Sequence, residues 1–235
     1  MKPDIKGILF DKDGTLLDYH LSWGPLNQRV ALHAARGDKG LADRILAANG
    51  FDKLSGKVET GSLLAAGSTH EIACGFIAAG STFALNELTV AIDEIFRSGV
   101  ATVVPVTDLR KFFRSLKARD LALGIASSDS ETAIRMTVER FDLGADVDFI
   151  AGWDSGFGTK PSAGMLDAFA AHSQLAPSRI AVVGDNLHDM EMAAAGRAGL
   201  RIGVLTGTSS RTDLEAACDL CLDSIRDLEA ALFGA

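Results

Sequence analysis

Asp11 and Asp13 flank Lys12 at the end of a short apolar run, Ile8-Leu9-Phe10, and Gly14 and Thr15 follow at once. Two carboxylates this close repel, and each resists ionising unless a cation or a proton relieves it. A structural turn needs only one Asp before its glycine, so the second carboxylate asks for a chemical reason. Three further clusters carry similar chemistry. Ser127 and Ser128 follow the apolar run LALGIA, Lys160-Pro161 stands ahead of a helical pattern, and Asp185 and Asp189 lie in GDNLHD behind RIAVV. Several carboxylates gathered at one point make a hard, all-oxygen site suited to Mg²⁺, which keeps waters and takes few protein ligands. A lysine, hydroxyls and backbone amides beside it can hold a phosphoryl group.

Such a gathering needs a scaffold. Strand-like apolar runs recur at residues 7–10, 121–126, 149–151, 179–183 and 200–204, with a weaker one at 219–222. Apolar residues at helical spacing separate most of them, at 107–119, 132–141, 163–172 and 187–195. Strands alternating with helices predict an α/β fold: a Rossmann-like parallel sheet with helices on both faces. Ligands in such sheets gather at the carboxyl ends of the strands, where strand order reverses. All four clusters fall at such ends. The interval 19–103 breaks the rhythm with four helical stretches, 21–36, 41–49, 69–79 and 84–97, and no convincing strand. It predicts an inserted all-helical cap domain, with residues 1–18 and 104–235 forming the core and hinges near 16–19 and 99–105. Residues 50–68, rich in Gly, Ser and Lys, read as a surface loop of the insert.

In their order and spacing, DxDGT, a serine after a buried strand, Lys-Pro and GDxxxD resemble the haloacid dehalogenase superfamily of phosphotransferases. The inserted helices are similar to the cap of the branch holding phosphoglycolate phosphatases and β-phosphoglucomutases. The resemblance implies that Asp11 attacks phosphorus and forms an aspartyl-phosphate. Asp13 would protonate the leaving oxygen and later activate water. Ser127 and Lys160 would hold the phosphoryl oxygens, with Gly14, Thr15 and Ser128 beside them. Asp11, the Asp13 carbonyl and Asp185 would ligate Mg²⁺, with Asp189 adjacent. Lys12 departs from the pattern, since relatives often carry an apolar or aromatic residue there; strand alternation predicts that it points away from its neighbours' carboxylates.

Taken singly, each cluster has a structural reading: an Asp-Gly turn, a helix cap, a loop lysine before a proline-started helix. Four together, in this order and all at strand ends, favour the chemical one. His188 reads as a solvent-facing residue of its helix, and Trp23 and Phe51 as core or hinge packing. Lys53, Lys57 and His70 are the insert's candidates for an anionic substrate tail, against the alternative of plain solvated charge.

The remaining composition narrows the class. The chain has 235 residues, 47% hydrophobic and 23% charged, which suits an ordinary globular protein. A net charge of −8 argues against nucleic acid as a partner. No apolar run approaches the roughly 20 residues that span a bilayer, and the opening MKPDIKGILFD lacks a secretory pattern. Three cysteines fit a reducing cytoplasm, and Cys218-x-x-Cys221 lacks the further ligands a zinc site needs. The expectation is a cytoplasmic, Mg²⁺-dependent phosphatase of a small phosphorylated metabolite, phosphoglycolate-like or a sugar phosphate, acting as monomer or homodimer. The alternatives are a phosphomutase, where a second hydroxyl replaces water as acceptor, and a non-enzymatic phosphoryl-binding regulator. A dehalogenase is disfavoured because it gives Asp13 nothing to protonate.

Overall fold

The computed structural model describes residues 4–53 and 57–234. In chain order its first half holds β1 (Gly7–Phe10), α1 (Tyr19–Ala34), α2 (Lys39–Ala48), β2 (Phe51–Asp52), β3 (Lys57–Val58), α3 (Leu63–Ala66), α4 (Thr69–Ala78) and α5 (Leu85–Gly99). The second half holds α6 (Leu109–Lys117), β4 (Ala122–Ala126), α7 (Glu131–Arg140), β5 (Phe149–Ala151), α8 (Gly164–Ser173), β6 (Ile180–Gly184), α9 (Leu187–Ala195), β7 (Leu200–Val204), α10 (Arg211–Ala217), β8 (Leu220–Leu222) and α11 (Leu228–Phe233).

Every residue of β1 is buried, so its alternating side chains must find apolar partners on both faces. Ile8 and Phe10 pack with Phe113, Ile125 and Val183 on one face, while Leu9 packs with Met165, Phe169 and Val182 on the other. Phe113 and Phe112 come from α6, whose buried face also carries Leu109 and Leu116 and whose first turn Asp108 caps through the Lys111 amide at 3.0 Å. The six strands lie in the order β5-β4-β1-β6-β7-β8, and every pairing is parallel. The chain steps from β1 outward to β4 and β5, then returns past β1 to β6. The carboxyl end of β1 is thus the point where strand order reverses, and a crevice forms there.

The inserted helical region has its own apolar cluster, in which Trp23, Val30, Ile45, Phe76, Ile92 and Phe96 meet. An insert without strands is a prediction the structure corrects: β2 and β3 form a two-residue antiparallel pair, Phe51 opposite Val58. Both side chains are buried in the helical cluster, and a strand of two residues leaves no periodicity to detect. The stretch expected as a surface loop therefore holds this hairpin and α3; its residues 54–56 lie outside the described residues. Among the described residues, no helix is long and apolar enough to cross a membrane.

Candidate active site

The ladder between β1 and β6 continues one residue beyond the strand, where the Asp11 amide donates to the Val183 carbonyl at 2.8 Å. Asp11 therefore leaves the sheet at its centre. The chain then turns sharply: the Gly14 amide donates to the Leu17 carbonyl, and Gly14 adopts a φ of 89° that other residues resist. A Cβ there would lie 2.5 Å from the Asp185 carboxyl, so the glycine also makes room for the next acid. Asp185 follows β6, and its Oδ2 accepts from the Thr208 amide at 2.9 Å. At the start of α9, the Asn186 side chain accepts from the His188 amide while Asp189 Oδ2 accepts from the Asn186 amide at 3.1 Å. This reciprocal cap fixes Asp189, whose other oxygen is free to face the site.

Lys160 joins the pieces. Its ammonium donates to Asp11 Oδ1 and to Asp189 Oδ1, each at 2.6 Å. Asp11, Asp185 and Asp189, all buried, each offer an oxygen within 4.8 Å of the others. Burial pushes the Asp11 carboxyl up to about 7; Lys160 pulls against this, while Asp189 and Asp13 add to the rise. Asp185 is raised well above the carboxylate range by burial, then by Asp11 and Asp189. Burial works against the Lys160 ammonium, yet Asp11 and Asp189 outweigh it and hold the group above its usual value. Three crowded carboxylates with an all-oxygen donor set fit a hard divalent cation, which would relieve the repulsion that raises them.

Asp13 stands apart from this trio, and its two oxygens are held from opposite sides. Trp23 Nε1 donates to Oδ1 at 2.9 Å, and the Lys12 ammonium pairs with Oδ2 at 2.6 Å. Lys12 corrects the sequence expectation: it turns toward its neighbour's carboxylate, is 1% exposed, and also reaches Asp129 Oδ2 at 3.0 Å. Alternation fails here because the chain has already left the strand and entered the turn. Burial raises the Asp13 carboxyl, with Lys12 opposing and Asp129 adding to the rise.

Ser127 and Ser128 follow β4 and line the same cavity as Asp11, Asp13 and Lys160, with Ser127 Oγ accepting from the Asp129 amide at 3.1 Å. Gly14 and Thr15 shape the turn beneath and do not line the cavity. His188 does line it, half-buried with its Nδ1 covered and without a hydrogen-bond partner, where a solvent-facing residue was expected. Phe51 packs in the helical cluster as expected, but Trp23 does more than pack. Lys53 is exposed and paired with Asp43 at 2.6 Å, and His70 stacks near Trp153 at 6.5 Å. Neither they nor Lys57 line the cavity. The insert's wall is instead Tyr19, Trp23, Asn27, Thr69, Ile72 and Phe96, with residues of α3. Tyr19, Trp23 and Asn27 recur every fourth residue on one face of α1, and a polar Asn on that otherwise apolar stripe was the available signal.

Carboxylates gather at the carboxyl end of a parallel sheet, and helices of the insert line the same cavity. A model of the haloacid dehalogenase-like hydrolases matches residues 5–197, and the chain belongs to that family. It is 36% identical over 73 residues to the D-glycero-β-D-manno-heptose-1,7-bisphosphate 7-phosphatase of Salmonella typhi. That match spans 31% of this chain and 39% of the relative's length. A structure from Haemophilus somnus 129pt, described as a predicted phosphoglycolate phosphatase, superposes with a TM-score of 0.72 at 15% identity, covering 97% of this chain and 98% of that one. CbbY from Rhodobacter sphaeroides, in complex with phosphate, gives 0.71 at 19% identity, covering 95% and 96%. These likenesses show a shared fold.

Proposed function

We propose that the protein is a Mg²⁺-dependent phosphomonoesterase of a small phosphorylated metabolite, working through an aspartyl-phosphate on Asp11, with residues 19–103 acting as its cap. Asp11, Asp185, Asp189 and the Asp13 carbonyl would hold Mg²⁺, which supplies the positive charge that lets a carboxylate approach a phosphate dianion. Asp11 attacks phosphorus, the ester P–O bond breaks, and the leaving oxygen takes the proton of Asp13. The resulting Asp13 carboxylate then takes a proton from water as that water attacks phosphorus, releasing inorganic phosphate and restoring Asp11. Lys160 and Ser127 steady the phosphoryl oxygens, and the insert's aromatic wall keeps bulk water away. The observation that carries this reading is Lys160 bridging Asp11 and Asp189 at 2.6 Å, with Asp13 held separately by Trp23 and Lys12. Nucleophile and proton carrier thus have different surroundings, as the two roles demand. The phosphomutase alternative is weaker, because the described residues that the insert contributes to the cavity include no histidine or lysine to serve a second hydroxyl.

Asp11→Asn tests the assignment. The amide neither attacks phosphorus nor binds Mg²⁺ well, so phosphate release should fall by at least about a thousandfold while the circular dichroism spectrum stays that of the native protein. Native-like turnover in a folded, Mg²⁺-loaded sample would refute the nucleophile.

A further inference from the structure

The phosphate end of the cavity recognises any phosphate monoester, so the choice among esters falls to the opposite wall. Two features of that wall decide what it accepts. The first is charge. Five carboxylates line the cavity, and Lys160 is the only fixed cation among the described residues that do. That ammonium is already shared by Asp11 and Asp189, and Lys12, behind Asp13, is shared by Asp13 and Asp129. Among the described residues, the wall facing the leaving group offers a second anionic group no free ammonium or guanidinium. The lysines that might have answered it lie elsewhere, Lys53 against Asp43 on the exposed surface. His188 lines the cavity with a ring whose Nδ1 is covered.

The second feature is an unmet donor. Asn27 is 1% exposed and stands beside Tyr19 on the cavity wall; its buried Nδ2 reaches toward the Tyr19 hydroxyl without a well-formed bond, which leaves at least one of its two N–H groups unmet. A ligand oxygen would complete the hydrogen bonding of that buried amide. Around it the wall is apolar and aromatic: Trp23, Ile72 and Phe96. The cavity encloses about 70 Å³, far below the roughly 300–1,000 Å³ of sites for drug-sized ligands.

We infer that the leaving group of the natural substrate is compact and uncharged and presents a hydroxyl or carbonyl oxygen to the Asn27 amide, in place of a carboxylate or a second phosphate. This rests on the phosphatase reading above and selects within it: a short polyol phosphate fits, whereas phosphoglycolate or a bisphosphate does not.

Three esters of nearly equal size separate the cases: 2-hydroxyethyl phosphate, phosphoglycolate and O-phosphoethanolamine, whose leaving groups are neutral, anionic and cationic. With the Mg²⁺-loaded full-length protein, kcat/KM from phosphate release should favour 2-hydroxyethyl phosphate by at least about tenfold over each charged ester. A smaller preference, or preference for either charged ester, overturns the inference and leaves the phosphatase reading standing. Release from none of the three, nor from p-nitrophenyl phosphate, overturns both. The role of Asn27 is read separately as the ratio of kcat/KM for 2-hydroxyethyl phosphate to that for ethyl phosphate, which lacks the hydroxyl. Asn27→Leu should lower that ratio about fivefold; an unchanged ratio removes Asn27 from recognition.

Discussion

Asp13 is gripped at both oxygens, by an indole from the insert and by an ammonium from its own turn, and two consequences follow at the scale of single residues. As the proposed proton carrier, it would matter most when the leaving group is a poor one. With p-nitrophenyl phosphate, whose leaving group needs little help, Asp13→Ala should give a burst of nitrophenol and then stall as the aspartyl-phosphate, because water is no longer activated. Rapid-quench measurement of the burst decides it; equal steady-state rates for variant and native protein on alkyl and nitrophenyl esters would remove Asp13 from the chemistry. Lys12 carries the second consequence. Its removal leaves Asp13 and Asp129 sharing a buried site without a counter-charge, so Lys12→Met should destabilise the fold by about 3–5 kcal/mol. Urea unfolding measures this, and a loss within about 0.5 kcal/mol, typical of a solvated surface residue, would contradict the buried ion pairs.

Among elements, the turn after β7 does more than its composition suggests. Thr206 Oγ1 donates to the Gly14 carbonyl at 2.6 Å, and the Thr208 amide donates to Asp185. Thr60 of the insert donates to the Thr208 carbonyl at 2.7 Å, so one turn ties the DxDGT loop, the third acid and the insert together. A Cβ on Gly207 would stand 1.7 Å from Asp185 Oδ2. Gly207→Ala must therefore displace that carboxylate, and Mg²⁺ affinity, followed by calorimetry, should drop about 10–100-fold; unchanged affinity would separate Asp185 from the metal. Nothing in the letters Thr-Gly-Thr announces this, since the turn acts through a backbone N–H and a missing side chain. The sheet was legible for the opposite reason: Ile8-Leu9-Phe10 and RIAVV are continuous apolar runs, each ended by residues that no buried strand tolerates. Asp11, Lys160, Asp185 and Asp189 stood out because their side chains carry the charge that the site uses. Tyr19, Trp23 and Asn27 did not, because four-residue spacing on an amphipathic helix is also the pattern of ordinary core packing. The lysines of the insert drew attention by charge alone, yet Lys53 pairs with Asp43 and neither it nor Lys57 lines the cavity.

The stability of the whole molecule depends on how its buried acids are balanced. Asp11, Asp13 and Asp185 all hold protons more tightly in the native protein than the ordinary carboxylate value of 3.8, Asp11 up to about 7. Between those values the metal-free native state binds protons that the unfolded chain has released, so stability is full at low pH and declines as pH rises through about 7. Glu131 and Asp219 are shifted the other way, by Ser155 and Arg201, and their contribution is lost only under more acidic conditions. The Tm of metal-free protein should accordingly fall between about pH 5 and about pH 8, and added Mg²⁺ should raise it more at the higher pH, where the carboxylates are ionised. A flat metal-free profile with equal Mg²⁺ increments would contradict the arrangement.

Among the described residues, the apolar cluster within the insert shares none with either cluster that flanks the sheet. Away from Trp23 and Thr60, which bond across to Asp13 and to the Thr208 turn, substitutions that repack one are therefore weakly coupled to the others. On the proposed reading, a lineage could accordingly rewrite the rest of the insert's wall, residue by residue, while Trp23 and the carboxylates at the strand ends stay under unchanged selection. One inherited reaction can in this way be passed to new substrates without being reinvented.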